Sequence, residues 1–173
     1  DWRERGQYLT NVYPENEEAF TASSEKVHNL SLADLDDAPM IYDVLPALEN
    51  WIGEQLNLRI PPGQLDKTPF LRNVVIAGQS VMHDIAFLQA AYRQEKMKWP
   101  FSRTLLDLHT LAYFTFRVLK QNGRPTPRGL SLRDIAGHFG LEREDEFHNA
   151  LEDAVLTAKC FKEIFRLAEG MKL

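Results

Sequence analysis

The sequence predicts an α/β domain with a layered sheet. Three observations carry this: short apolar runs rich in β-formers, amphipathic runs of helical period between them, and turn chemistry at nearly every junction. No internal repeat, low-complexity tract or linker interrupts the alternation, so residues 1–173 are expected to form one domain.

The elements follow in order. Gln7 to Tyr13, QYLTNVY, is rich in β-formers and stops at Pro14, which predicts a strand. Ser31 to Asp37 carries turn and cap residues. From Met40 to Leu56, the residues Ile41, Val44, Leu45, Leu48, Trp51, Ile52 and Leu56 fall on one helical stripe. After the loop IPPGQLDKTP, the run NVVIAG (73–78) reads as a buried strand closed by Gly78. A helix follows from about Asp84, with Leu88, Ala91 and Tyr92 inward. Thr104 to Leu108 predicts a further strand, and LAYFTFRVLKQ continues as a helix up to Gly123. NGRPTPRG is a loop. Ser131 caps a short helix stopped by Gly140, and Leu151 to Ala168 is the last helix, with Val155, Ala158, Phe161, Ile164, Phe165 and Ala168 facing inward.

Composition narrows the function classes. A chain of 173 residues that is 44% hydrophobic can bury one substantial core. Its formal charge of -5 lacks the wholesale basic character of a protein that coats nucleic acid, although a local basic rim is compatible with it. Cys160 is the one cysteine, which excludes an intramolecular disulfide and a cysteine-rich zinc site and fits a reducing cytoplasm. No apolar run has transmembrane length and no signal-peptide pattern opens the chain, so a soluble, cytoplasmic protein without membrane contact is expected. The first residue is not Met, which suggests a fragment or a processed chain.

Two stretches carry chemistry. In HNALEDA (148–154), Asn149 can cap the helix with Glu152 at its third position, forming a capping box. That places His148 just before the cap and Asp153 fourth in the helix, the two positions that meet in a hydrophobic staple, here both polar. A histidine and an acid can also merely decorate a helix start. In VVIAGQSVMHDIAFL, Asp84 opens a helix after the strand ending at Gly78, at the carboxyl edge of the sheet where open α/β folds place their sites. Asp84 and Asp153 at two positive helix ends would stay ionised and could share hard divalent cations such as Mg²⁺ or Mn²⁺.

HNALEDA resembles the third motif of the DEDDh (DnaQ-like) 3′-to-5′ exonucleases, and AGQSVMHDIAFL their second. The epsilon proofreading subunit of bacterial DNA polymerase III belongs to that family. Further similarity runs through VHNLSLADLDDAP, TLLDLHTLA and GLSLRDIAGHFGL in the family's order. The resemblance implies an RNase H-like mixed sheet flanked by helices and metal-dependent hydrolysis at 3′ ends of single-stranded or frayed DNA, or of RNA. It makes Asp153 a metal ligand, Asp84 a ligand to the second of two ions, His148 the general base and His28 a substrate-binding residue. It also implies contact with a DNA polymerase or other replication or repair proteins.

The chain departs from the family at several positions. Gln79-Ser80 stand where His-Asn is usual, His83 precedes Asp84 in place of Phe, and Asn29 follows His28 in place of Gly. His83 reads as a packing or surface variant, or as an added titratable group. No Asp-x-Glu, the family's first motif, occurs in the 173 residues, and the similarity begins only at the end of the family's second strand. Half the carboxylate set is therefore missing, and activity of these residues alone is in doubt. Either that motif lies upstream, or the chain is a degenerate, non-catalytic interaction module of exonuclease ancestry. Loss of a central strand should also expose unpaired backbone and apolar surface. Arg124, Arg128 and Arg133 are candidate phosphate contacts or solvated surface charges.

Overall fold

A computed structural model describes residues 3–23, 25, 29–142 and 150–170. They fall into two compact units. One is made of Val75–Ala86 and the chain from Arg103 onward, and the other of Arg3–Val74 with Phe87–Ser102.

The first unit holds the sheet. Strands β1 (Ile76–Gly78) and β2 (Leu105–Asp107) pair in parallel, with Ile76 opposite Leu105 and Gly78 opposite Asp107. Helices α5 (Leu108–Gln121) and α6 (Leu132–His138) both pack on α7 (Ala150–Glu169), which also contacts β1. Leu108, Ala112, Phe116, Leu119, Ile135, Leu156, Cys160, Phe161 and Ile164 are buried there as one cluster.

Two expectations in this unit need correction. The run NVVIAG is not a fully buried strand: only three of its residues pair, and Val75 is 40% exposed. Among the described residues the sheet has two strands, so β1 is an edge and exposes alternate residues. The buried face of α7 is also rotated from the one expected. Leu156, Thr157, Cys160, Phe161 and Ile164 are buried, whereas Ala158 and Ala168 are exposed. Apolar residues wrap more than half of this helix, so its inward face is chosen by α5 and α6 rather than by periodicity.

The second unit is built on α2 (Ile41–Gln55), preceded by the short α1 (Leu32–Leu35) and followed by α3 (Thr68–Leu71). Ser31, in the stretch expected to carry cap residues, caps α1 through a reciprocal box with Asp34. The expected strand at Gln7–Tyr13 does not form. No strand partner lies beside it among the described residues, and its β-formers serve as side-chain contacts instead, with Tyr8 packing on Trp51 at 5.5 Å between ring centroids. On α2, Val44, Leu45, Glu49 and Gly53 are buried, while Leu56, expected on the inner stripe, is 47% exposed beyond the helix end. Glu49 is tolerated in that core because its carboxylate accepts from Lys67 Nζ at 3.1 Å and from Tyr92 OH at 3.0 Å. Tyr92 comes from α4 (Met82–Gln94), whose first turn belongs to the first unit and whose remainder belongs to the second.

Helices α2, α4, α5 and α6 end the same way. A residue in the left-handed region follows each C-cap (Asn57, Lys96, Gly123 and Gly140, φ between 52° and 68°), and the next N–H returns to the carbonyl five residues back. Gly123 and Gly140 are thus the stops their positions predict.

Candidate active-site cleft

Asp84 and Asp153 line one cleft of about 560 Å³ in the first unit. Its floor is Ile76, Ala77, Gly78 and Gln79, and its walls include Val81, Leu132, Ala154, Thr157 and Phe161. The lining is mostly apolar, with a few convergent polar groups, the usual character of a small-molecule or active site.

Local sequence explains where the two acids stand. Asp84 lies in the first turn of α4 and is exposed. It arrives there through the turn Gly78-Gln79-Ser80-Val81, in which Ser80 takes a φ of 55°. Gly78 is required by close approach: a Cβ at this position would meet Val81 Cγ2 at 2.9 Å. Asp153 lies in the first turn of α7, half-buried, with its Oδ1 shielded from solvent. Both carboxylates therefore stand in the first turn of a helix.

Two further groups hold this geometry, and sequence reasoning assigned no such role to them. Asp107, the N-cap of α5, accepts from the main-chain N–H of Val81 at 2.9 Å through Oδ2 and from that of Thr110 at 2.9 Å through Oδ1. One carboxylate thus ties the β1–α4 turn to the start of the neighbouring helix. The Asp-x-x-Thr spacing signals the cap, but nothing local signals the bond to Val81. Gln79 donates its Nε2 to the carbonyl of Leu130 at 2.9 Å, joining the cleft floor to the segment before α6. Thr157, 7% exposed, also lines the cleft wall.

The other candidates are distributed differently. His148, Asn149 and His28 lie outside the described residues, so the capping box at the start of α7 and the roles of both histidines do too. His83 is exposed on the first turn of α4 and does not line the cleft. Arg128 and Arg133 are exposed away from the cleft lining, and Arg124 borders a separate hollow of about 240 Å³ with His138, Glu163 and Arg166. There burial, and secondarily the charge of Arg124, lower the pKa of His138 below the ordinary histidine value.

The donor chemistry of the cleft suits a hard divalent cation, since Asp84 and Asp153 offer oxygen ligands and Mg²⁺ is commonly held by one or two carboxylates plus water and substrate phosphate. Among the described residues no group of three His, Cys, Asp or Glu side chains comes together to hold a metal. No helix among them is long and apolar enough to cross a membrane.

No protein-family model matches the sequence, and no curated protein matches it. Solved structures do. The chain is similar to the nuclease domain of 3′hExo, a DEDDh family member bound to rAMP, with a TM-score of 0.65 at 16% identity over 96% of this chain and 74% of that one. It is also similar to cell-death related nuclease 4 (CRN-4), with a TM-score of 0.64 at 15% identity over 91% of this chain and 49% of that one. The fold is therefore that of the RNase H-like DEDDh nuclease domains, and the chain spans about half the length of CRN-4.

Proposed function

We propose that this chain is a metal-dependent 3′-to-5′ exonuclease domain acting on single-stranded or frayed ends of DNA or RNA. The observation that carries the reading is the meeting of Asp84 and Asp153 in one cleft, on a fold shared with DEDDh nuclease domains. Motifs similar to those of the epsilon proofreading subunit extend the proposal to a partner polymerase or another replication or repair protein.

Asp84 and Asp153 would hold Mg²⁺ or Mn²⁺. When bound, the ions supply charge neutralisation at the phosphate and a water of lowered pKa. The chain's own residues do the rest. The apolar walls, with Phe161 and Leu132, shape the cleft that the two carboxylates line. His148 accepts the proton of the attacking water, and Asp107 and Gln79 keep the β1–α4 turn, and so Asp84, in register.

The test is incubation of the full-length protein and its Asp153→Asn variant with end-labelled single-stranded DNA and RNA in Mn²⁺. Stepwise loss from the 3′ end, abolished in the variant, supports the reading. Absence of degradation in the parent overturns it in favour of a non-catalytic module.

A further inference from the structure

Helix α5 carries a surface that the cleft chemistry does not use. Its buried face is Leu108, Ala112, Thr115, Phe116 and Leu119. The opposite face presents Tyr113, Phe114, Arg117 and Lys120, in which Tyr113 and Arg117 are four apart, Phe114 and Arg117 three apart, and Tyr113 and Lys120 seven apart, so all four share one side. The two rings are 56% and 65% exposed. Among the described residues neither ring packs on another, and neither cation enters an ion pair. The helix contains no acidic residue, in a chain whose acids outnumber its bases by 25 to 20. Two neighbouring free rings beside two unneutralised cations complement a polyanion that also offers flat apolar faces.

The helix that bears this surface is tied at its start to a cleft-lining turn. Asp107 caps α5 and holds the main-chain N–H of Val81, a cleft-lining residue, so the helix starts at the cleft rim. From Asp107 to Lys120 the helix rises roughly 20 Å, enough to support several nucleotides beyond the reacting one.

We infer that the exposed face of α5 guides a single nucleic-acid strand away from the cleft, with bases stacking on Tyr113 and Phe114 and phosphates meeting Arg117 and Lys120. The inference rests on the nuclease reading of the cleft. Stacking of this kind tolerates any base, and its loss weakens binding about 10- to 100-fold.

The experiment measures binding of the full-length protein to a labelled long oligothymidylate and to a thymidine dinucleotide, without divalent metal so that hydrolysis plays no part. Tyr113→Ala with Phe114→Ala, which removes two stacking rings, should weaken the long strand about 30-fold or more and leave the dinucleotide unchanged, whereas Tyr113→Phe should keep full affinity. Arg117→Gln should lower the salt slope for the long strand by about 0.7. Should the double alanine variant melt early, Arg117→Gln and Lys120→Gln, at exposed positions, carry the test through the salt slope. Unchanged long-strand affinity and salt slope in folded variants, while the parent still binds and digests strands, overturns this surface alone. A parent that binds neither probe overturns the nuclease reading with it. A shift in oligomeric state without a change in strand affinity makes the face a protein interface and overturns the inference.

Discussion

The main-chain N–H of Val81 donates to Oδ2 of Asp107 at 2.9 Å, across two parallel strands and 26 residues of sequence. The same carboxylate caps α5 through Thr110. It therefore closes two structures at once, the turn that delivers Asp84 and the helix beside it. Asp107→Ala should cost roughly 2 to 4 kcal/mol, the sum of a lost cap and a lost charge-assisted hydrogen bond. Asp107→Asn keeps an acceptor and should cost clearly less. Urea unfolding of both variants checks this, and a loss under about 0.5 kcal/mol for the alanine would show that the turn is held by other contacts.

Nuclease activity should separate the three sequence-derived site residues by role. Asp153→Asn and Asp84→Asn should each abolish 3′-end degradation and weaken Mn²⁺ binding in calorimetry. His148→Ala should leave Mn²⁺ binding nearly intact while slowing turnover about 100- to 10,000-fold, the usual worth of a general base. A slowing below about threefold would demote His148 to a residue that flanks the helix start.

The buried group Glu49, Lys67 and Tyr92 should dominate the mutational sensitivity of its unit. Glu49 is 2% exposed and Lys67 is 6% exposed. Burial, and then the charge of Glu49, raise the Tyr92 phenol well above its ordinary pKa, so it stays a neutral donor. Lys67→Met should cost about 3 to 5 kcal/mol by stranding the carboxylate. Adding Glu49→Gln, which still accepts from Tyr92, should recover a large part of that loss. Equal stability of the single and double variants in urea would refute the pairing argument.

Acid sensitivity should have a component from Asp66. Its bond from Lys98 at 2.7 Å, and then Thr68, whose main-chain N–H donates to it at 3.0 Å, hold the carboxyl down at about 2. A depressed folded pKa contributes stability that is complete above the unfolded value of about 3.9 and is lost as the pH falls through about 2. Lys98 is raised by the same contact, so its share is present below its ordinary value and fades only at strongly alkaline pH. Asp66→Asn should therefore flatten the decline in melting temperature between about pH 4 and pH 2. A variant that declines as steeply as the parent would show that this exposed pair contributes nothing.

What the sequence determined by itself is what depends on neighbours a few residues away. The cap residues at Ser31 and Ser131, the stops at Gly123 and Gly140, and the positions of Asp84 and Asp153 in first turns all follow from local backbone chemistry, and all are found. Tertiary structure decided the rest, because each outcome requires a partner far along the chain. Gln7–Tyr13 has β-formers but no strand to pair with among the described residues. The inward face of α7 turned toward Leu156, Thr157 and Cys160 because α5 and α6 approach from that side. Glu49 is buried because Lys67 and Tyr92, 18 and 43 residues away, neutralise and bond it. The cleft obeys the same division: each aspartate was legible alone, but only parallel pairing of β1 with β2 and the packing of α7 on β1 bring Asp84 and Asp153 to one wall-lined space. Hydrogen bonds and caps act over a few ångströms of contiguous chain, whereas burial and site assembly are set by which distant surfaces exclude water together.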